Sequence, residues 1–498
     1  MSVLAACSGS AAPGSAYPAA TLRSGIDLKL TAVTRAPAAD SVLAETAPGT
    51  LTAAFARTLF TRAPVVVVSG AGARAIQAAD ADARAVHAPV LLAATATATA
   101  LAQLAASARA LHPVAVLAMG LPATWPGELA ARLPGVKVVS RAAALPGTRT
   151  PAPLSRLAVL VSASAKSSAA SAAVTATAQA AGAAVVDVKG ADPRADPAAI
   201  AALARLRPAS VVAIGSRFGS PALLASRIAV AETGRQLPGG GQVLFPGRRL
   251  VALYGHPGTS GLGVLGEQDL SASIARARQM AAPYRPLSSV PVVPAFEIIA
   301  SVAEASPGPD GSYSYETPVS ELLPWVRRAT ADGLYVVLDL QPGRASLLSQ
   351  AEHYQSLLAL PDVGLALDAE WKLEPGEKPL RQIGHVDISE VNSVADWLAA
   401  LTARHDLPQK LFVLHQFQLA MLTGERHLDT SHDDLAIVIH MDGQGTPGVK
   451  QGTWNAVTAA APRGVFFGWK DFLVKDHPML TPGQTMTETP APVMISYQ

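Results

Sequence analysis

The sequence predicts an α/β protein in which tandem doubly wound α/β units precede a (β/α)8 TIM-like barrel. Two patterns carry this: short β-branched apolar runs alternate with Ala-rich helical stretches in the first half, and eight candidate strands follow Leu250. In the first half the strands are Ala63 to Ser69, Pro89 to Ala93, Pro113 to Met119 and Val136 to Ser140. Leu157 to Val161, Ala184 to Val188 and Ser210 to Ile214 then repeat the pattern, with Ala-Met-Gly ending at Gly120 and Ala-Ile-Gly ending at Gly215. Strands separated by helices imply a parallel sheet covered on both faces. The expected units are 1–20 as a tether, 40–145 and 150–245 as the two α/β units, and 249–498 as the barrel.

In the second half the strands are Leu250 to Gly255, Val292 to Ile298, Leu334 to Leu340, Val363 to Glu370, Lys410 to Gln416, Leu435 to Met441, Gly464 to Trp469 and Val493 to Tyr497. Helical stretches at Leu270 to Met280, Val319 to Ala329, Ala345 to Leu358, Glu390 to Thr402 and Gln451 to Ala460 separate most of them, which is the order of a (β/α)8 barrel lacking its final helix. A doubly wound open sheet is the alternative.

Composition narrows the function. The 498 residues carry a formal charge of +2, half are apolar, 15% are charged and the mean hydropathy is +0.28. That favours packed cores over disorder, and the near-zero charge speaks against a nucleic-acid partner. Pro89 to Ser107 is free of charge but rich in Ala and Thr, so no transmembrane helix is expected. Recognition chemistry belongs to the second half, since 7 of 8 Tyr, 5 of 6 Trp and 9 of 11 His lie beyond Leu250.

The single cysteine, Cys7, sits in Leu4-Ala5-Ala6-Cys7-Ser8-Gly9-Ser10, followed by a Ser/Ala/Gly/Pro stretch to about Ala20. This run resembles a bacterial lipobox, which implies lipidation of Cys7 and a location at the outer face of the cytoplasmic membrane. Only Met1, Ser2 and Val3 precede it, so an export signal would have to be encoded upstream.

The segments Val65-Val66-Val67-Val68-Ser69-Gly70, His87-Ala88-Pro89-Val90-Leu91-Leu92 and Val114-Ala115-Val116-Leu117-Ala118-Met119-Gly120 resemble the cell wall-binding repeat type 2 family of surface proteins. The likeness spans Leu51 to Gly215 and implies binding to wall polymers; the family's Gly-x-Asp-Arg-Tyr opening is absent. Gly70-Ala71-Gly72-Ala73-Arg74-Ala75 also has the form of a dinucleotide-binding turn. No acidic residue ends the next strand, however, so no nucleotide cofactor is expected.

In the barrel half, polar or aromatic clusters fall at the carboxyl ends of the strands, where such barrels build their sites. They contribute Tyr254, His256, Asp339, Gln341, Trp371, His415, Gln416, His440, Asp442, Trp469 and Tyr497 as candidate substrate-binding residues. Gly258 to Gly266 reads as a mobile loop over the pocket. Asp368 and Glu370, two apart on one strand, project to one side; crowding of the two carboxylates would leave Glu370 protonated and Asp368 ionised. Val363 to Trp371 resembles the fourth-strand Asp-x-Glu of chitinase-like glycoside hydrolases of family 18 and of family 25 lysozyme-like barrels, although Ala366 stands where the chitinase pattern has Asp. The resemblance implies that Glu370 protonates a glycosidic oxygen with Asp368 assisting, on cell-wall polysaccharide or peptidoglycan. No cofactor and no resident metal is expected. The alternatives are a metal-dependent hydrolase using His440 and Asp442, with His256, Asp339 and His415 converging on the ion, and a non-catalytic wall-glycan binding or scaffold protein.

Overall fold

The computed structural model describes residues 26–165 and 168–498; Cys7 and the tether lie outside the described residues. The first compact unit runs to Ala191 and again covers Pro208–Leu224. Eight of its strands build its main sheets: β1 (Ser41–Leu43), β2 (Val65–Gly70), β3 (Val90–Ala93), β4 (Ala115–Met119), β5 (Lys137–Val139), β6 (Leu157–Ser162), β7 (Ala184–Val188) and β8 (Ser210–Ile214). They form two four-stranded parallel sheets, β3-β2-β4-β5 and β7-β6-β8-β1. The fourth strand of the second sheet thus comes from ahead of both sheets in sequence. Three half-buried residues make no apolar run, which is why this strand leaves no signal in the sequence.

Helices α1 (Pro48–Leu59), α2 (Ala73–Ala85), α3 (Ala98–Arg109), α4 (Trp125–Arg132) and α5 (Ala169–Ala180) cover these sheets. One hydrophobic cluster holds them together, running from Val65–Val68 through Ala79, Ala83 and Leu101 to Ala173, Val174 and Val159. Alanines on α2 and α5 let the helices approach closely. The edge strand β3 is closed by side chains, its Val90 and Leu92 amides donating to the Thr177 and Thr52 hydroxyls at 3.0 and 3.1 Å. Without those acceptors the buried N–H groups would be unpaired.

The second unit comprises Asp192–Arg207 and Ala225–Gln498. Residues 192–207 and 225–245, expected within the second α/β unit, belong here: buried Arg194 bonds Asp433 at 2.6 Å and Asp192 at 2.8 Å. The strands β9 (Arg249–Gly255), β10 (Val292–Ala303), β11 (Tyr335–Leu340), β12 (Val363–Asp368), β13 (Lys410–Gln416), β14 (Leu435–Met441), β15 (Phe466–Asp471) and β16 (Met494–Tyr497) pair in parallel, each with the next. Pairing of β9 with both β10 and β16 closes a TIM-barrel-like ring of eight. Helices α6 (Leu270–Ala281), α7 (Val319–Ala331), α8 (Leu347–His353), α9 (Gln355–Leu358), α10 (Ile388–Arg404), α11 (Pro447–Ala460) and the single turn α12 (Pro482–Thr485) lie between strands. Only short 3-10 turns, Leu419–Met421 and Glu425–His427, and a two-residue strand join β13 to β14.

Side chains alternate along each strand. One set, including Phe296, Leu338, Leu365, Phe412 and Ile437, packs outward on helix residues such as Val326, Leu357, Val391 and Leu398. The other set fills the barrel: Leu250, Ala252, Val293, Ala295, Val337, Ala366, Leu411, Val413, Ala436, Val438 and Met494 form an apolar interior. This floor supports what lies two residues further along each strand.

Candidate active site

Counting two residues on from the floor gives Tyr254 from Ala252, Glu297 from Ala295, Asp339 from Val337, Asp368 from Ala366, His415 from Val413, His440 from Val438 and Ser496 from Met494. On β15, Lys470 takes the matching place beyond Gly468. The apolar floor therefore gives way within one period to a layer made of ionisable and hydroxyl groups. All eight are at most 2% exposed.

His415 stands at the hub. Its Nδ1 lies 2.9 Å from Asp442 Oδ2 and its Nε2 3.0 Å from Glu297 Oε1, with Asp339 Oδ1 at 4.0 Å. Lys470 donates to the same Asp442 oxygen at 3.1 Å and lies 3.5 Å above the centre of the Tyr254 ring. Tyr254 donates to Asp339 Oδ2 at 2.8 Å and accepts from Gln341 at 3.3 Å. His440 bonds Ser496 Oγ through Nε2 at 2.7 Å.

The electrostatics follow from this packing. Burial opposes ionisation of Asp442, but Lys470 and His415 outweigh it and hold the carboxyl well below the usual carboxylate range. Burial likewise opposes charge on Glu297 and His415, yet their mutual bond lowers the carboxyl and raises the imidazole. Burial, helped by the neighbouring His415 and Lys470 charges, pushes His440 down to about 3, so this ring is neutral. Asp339 is pushed up to about 6, chiefly by burial.

The Asp368 and Glu370 pair differs from its expected form. The strand stops at Asp368, and Ala369–Trp371 turn as a 3-10 helix, so Glu370 is not a strand residue. It still feels Asp442, Lys470, His415 and Asp339; burial and then the Asp442 charge push it up to about 7. Asp368, expected ionised, instead has its carboxyl raised well above the usual carboxylate range by burial and then by the neighbouring Glu370 and Asp339 charges. Glu370 is partly exposed, and it lines a cleft of about 360 Å³ with Trp371, Leu373 and residues 379–383. Gly384 closes the base of this loop by donating to the Glu370 carbonyl at 2.7 Å.

Other expected residues lie elsewhere. Trp469 and Tyr497, each one residue out of phase with the inward set, face the helical layer. Trp469 packs against Trp454 in a tilted pair with ring centres 5.4 Å apart, and the Tyr497 hydroxyl pairs with that of Tyr284 at 2.6 Å. Gln416, out of phase with His415, donates to Glu425 at 2.9 Å. His256 belongs to the loop after β9, bonded to Thr317 at 3.1 Å and to the Gly258 amide at 2.9 Å. His440 Nε2 is engaged by Ser496, and Asp442 Oδ2 by Lys470 and His415, whereas His440 Nδ1 and Asp442 Oδ1 are buried with no hydrogen-bond partner among the described residues. Among the described residues, one group of three could bring ligand atoms together: Asp396, Asp429 and His432, of which Asp396 is exposed and the other two are half-buried.

Glu297 and Lys470 were not among the candidates read from sequence. The period-two count identifies both, one step beyond Ala295 and Gly468. Gly468 is itself required, because a Cβ there would stand 2.0 Å from His440 Nδ1. Gly468→Ala is expected to destabilise the protein by about 3 kcal/mol and lower Tm by roughly 10 °C, since His440 is pinned from the far side by Ser496. Thermal melts check this, and adding His440→Ala to the variant should restore part of the loss.

Compared with known protein families, curated proteins and solved structures, the chain matches none.

Proposed function

We propose that the barrel is a glycoside hydrolase-like domain acting on cell-wall glycan, with Glu370 as general acid and Asp368 assisting. The observation that carries this reading is the position of Glu370, which joins the buried charge cluster to an open cleft and stays protonated close to neutral pH. Trp371 beside it offers an apolar face to a sugar ring. In the reaction Glu370 gives its proton to the glycosidic oxygen as the bond to the anomeric carbon breaks. Water then places its hydroxyl on that carbon and returns a proton to Glu370. Asp368, its carboxyl raised well above the usual carboxylate range, opposes formation of the Glu370 carboxylate less than an ordinary aspartate would.

The first unit fits the same setting. Two parallel sheets with the same arrangement of central and edge strands support a reading as tandem wall-binding α/β units. With Cys7 lipidated, the chain would stand at the outer face of the cytoplasmic membrane.

One observation favours a second reading, a glycan-binding protein without catalysis: the inward ring is sealed from solvent, as a purely structural polar layer would be. Incubating the protein with peptidoglycan and wall polysaccharides, with and without chelator, separates these. A glycosidase releases reducing ends in both conditions, a metal enzyme loses activity with chelator, and a binder retains affinity without release.

The acid also fixes a pH dependence. A general acid works in its protonated form, so with a value of about 7 the activity is full below that pH and declines above it, tenfold for each further unit. A pH–rate profile with a flat alkaline side up to about pH 9 would remove Glu370 from this role.

A further inference from the structure

Charge is divided unevenly along the chain. The first unit carries 16 Lys and Arg against 7 Asp and Glu, a formal +9, while the remainder carries 23 against 30, a formal −7. The near-neutral total therefore conceals a strongly basic unit. Part of this charge is concentrated by topology. In a parallel sheet all strands start at one end, and the helices that lead into them finish there. α2, α3 and α4 end in Arg84, Arg109 and Arg132, while Arg62 precedes β2 and Lys137 begins β5.

These five side chains are exposed on the strand-start face of the first sheet. Val114 lies among them, 38% exposed, its carbonyl accepting from the Lys137 amide at 2.9 Å. Arg84 pairs with Asp80 at 2.8 Å, and Arg109 donates to the Arg132 carbonyl. Among the described residues no carboxylate lies within ion-pair distance of Arg62, Arg109, Arg132 or Lys137. An arginine in a last turn does serve its own helix by offsetting the carbonyl end. That accounts for Arg84, Arg109 and Arg132, but Arg62 and Lys137 are outside the helices.

We propose that this face, Arg62, Arg109, Arg132 and Lys137 around Val114, docks on an anionic lipid bilayer. Cations spread over a face at the starts of neighbouring strands can engage a plane of headgroups together, whereas a polymer chain needs a path. The exposed valine in their midst fits the boundary between headgroups and acyl chains. The inference stands independently of the glycosidase reading.

The test uses the full chain carrying Cys7→Ser, so that no acyl group contributes, in sedimentation with vesicles containing roughly one-third phosphatidylglycerol in phosphatidylcholine. Two variants of equal net charge are compared. R62Q/R132Q/K137Q neutralises the docking face, and R74Q/R141Q/R217Q neutralises exposed positions beyond the carboxyl ends of β2, β5 and β8. The first is expected to lose about thirtyfold or more in vesicle affinity and the second less than about threefold, with binding abolished near 1 M salt. Equal losses in both variants, equal binding to pure phosphatidylcholine, or tighter binding to soluble polyphosphate than to vesicles would each overturn the proposal. The last outcome would identify a polymer-binding face instead.

Discussion

Lys470→Met is expected to lower the stability of the protein by about 3–5 kcal/mol, the cost of leaving one partner of a buried ion pair unmatched. Lys470 is 2% exposed and lies 3.1 Å from Asp442, and it faces Glu297, Asp368 and Asp339 as well. Methionine fills a similar volume, so the loss reports charge rather than packing. Asp442 would keep only His415, which is already shared with Glu297. The melting temperature should fall by roughly 10 °C or more, and a Lys470→Met/Asp442→Asn double variant should recover much of the loss because both charges are then removed. Calorimetry of the two proteins checks this. A Lys470→Met protein as stable as its parent would show that the ring is not electrostatically linked as described.

Glu370→Gln is expected to reduce glycan hydrolysis by about a thousandfold while leaving glycan binding within a few-fold, because the amide has the shape of the acid but cannot give up a proton. Binding retained alongside lost turnover distinguishes a chemical role from a structural one. Asp368→Asn should have a milder effect, since burial already holds the Asp368 carboxyl well above the usual carboxylate range and the amide removes little charge. Reducing-end release with wall glycans measures the first quantity, and Trp371 fluorescence, from the side chain that shares the cleft with Glu370, measures the second. Comparable hydrolysis by Glu370→Gln would exclude the residue as the acid.

The barrel was legible because each strand is buried on both faces and so forms a short apolar run, and the turn to polar residues marks its carboxyl end. Strand ends in the barrel could therefore be read to within two residues, except that the second strand runs five residues past Ile298 to Ala303. Phase within those ends was readable but less apparent. Trp469, Tyr497 and Gln416 attract notice as residue types, yet stepping by two from Gly468, Met494 and Val413 puts each on the outer face. The same step reaches Lys470 and Glu297. Glu370 escaped strand logic for another reason: the chain turns immediately after Asp368, so spacing along a strand no longer governs where its carboxyl points.

The division of charge between the units was hidden in a different way. A total of +2 is the sum of two large opposite values, and it separates only when the chain is divided along its packing. The exchange of residues 192–207 into the barrel unit follows from Arg194 meeting Asp433, a pairing 239 residues apart in sequence that no local pattern encodes.

The central claim is that Glu370 carries a proton near neutral pH at the mouth of a buried charge cluster. The most direct measurement is the infrared difference spectrum between wild type and Glu370→Gln in the protonated-carboxyl region, followed from about pH 4 to about pH 9. The account predicts a carboxyl signal present in wild type alone, lost with a midpoint at about 7. A midpoint near the ordinary glutamate value of about 4.3 would contradict it, because Glu370 would then be ionised at neutral pH and unable to act as the acid.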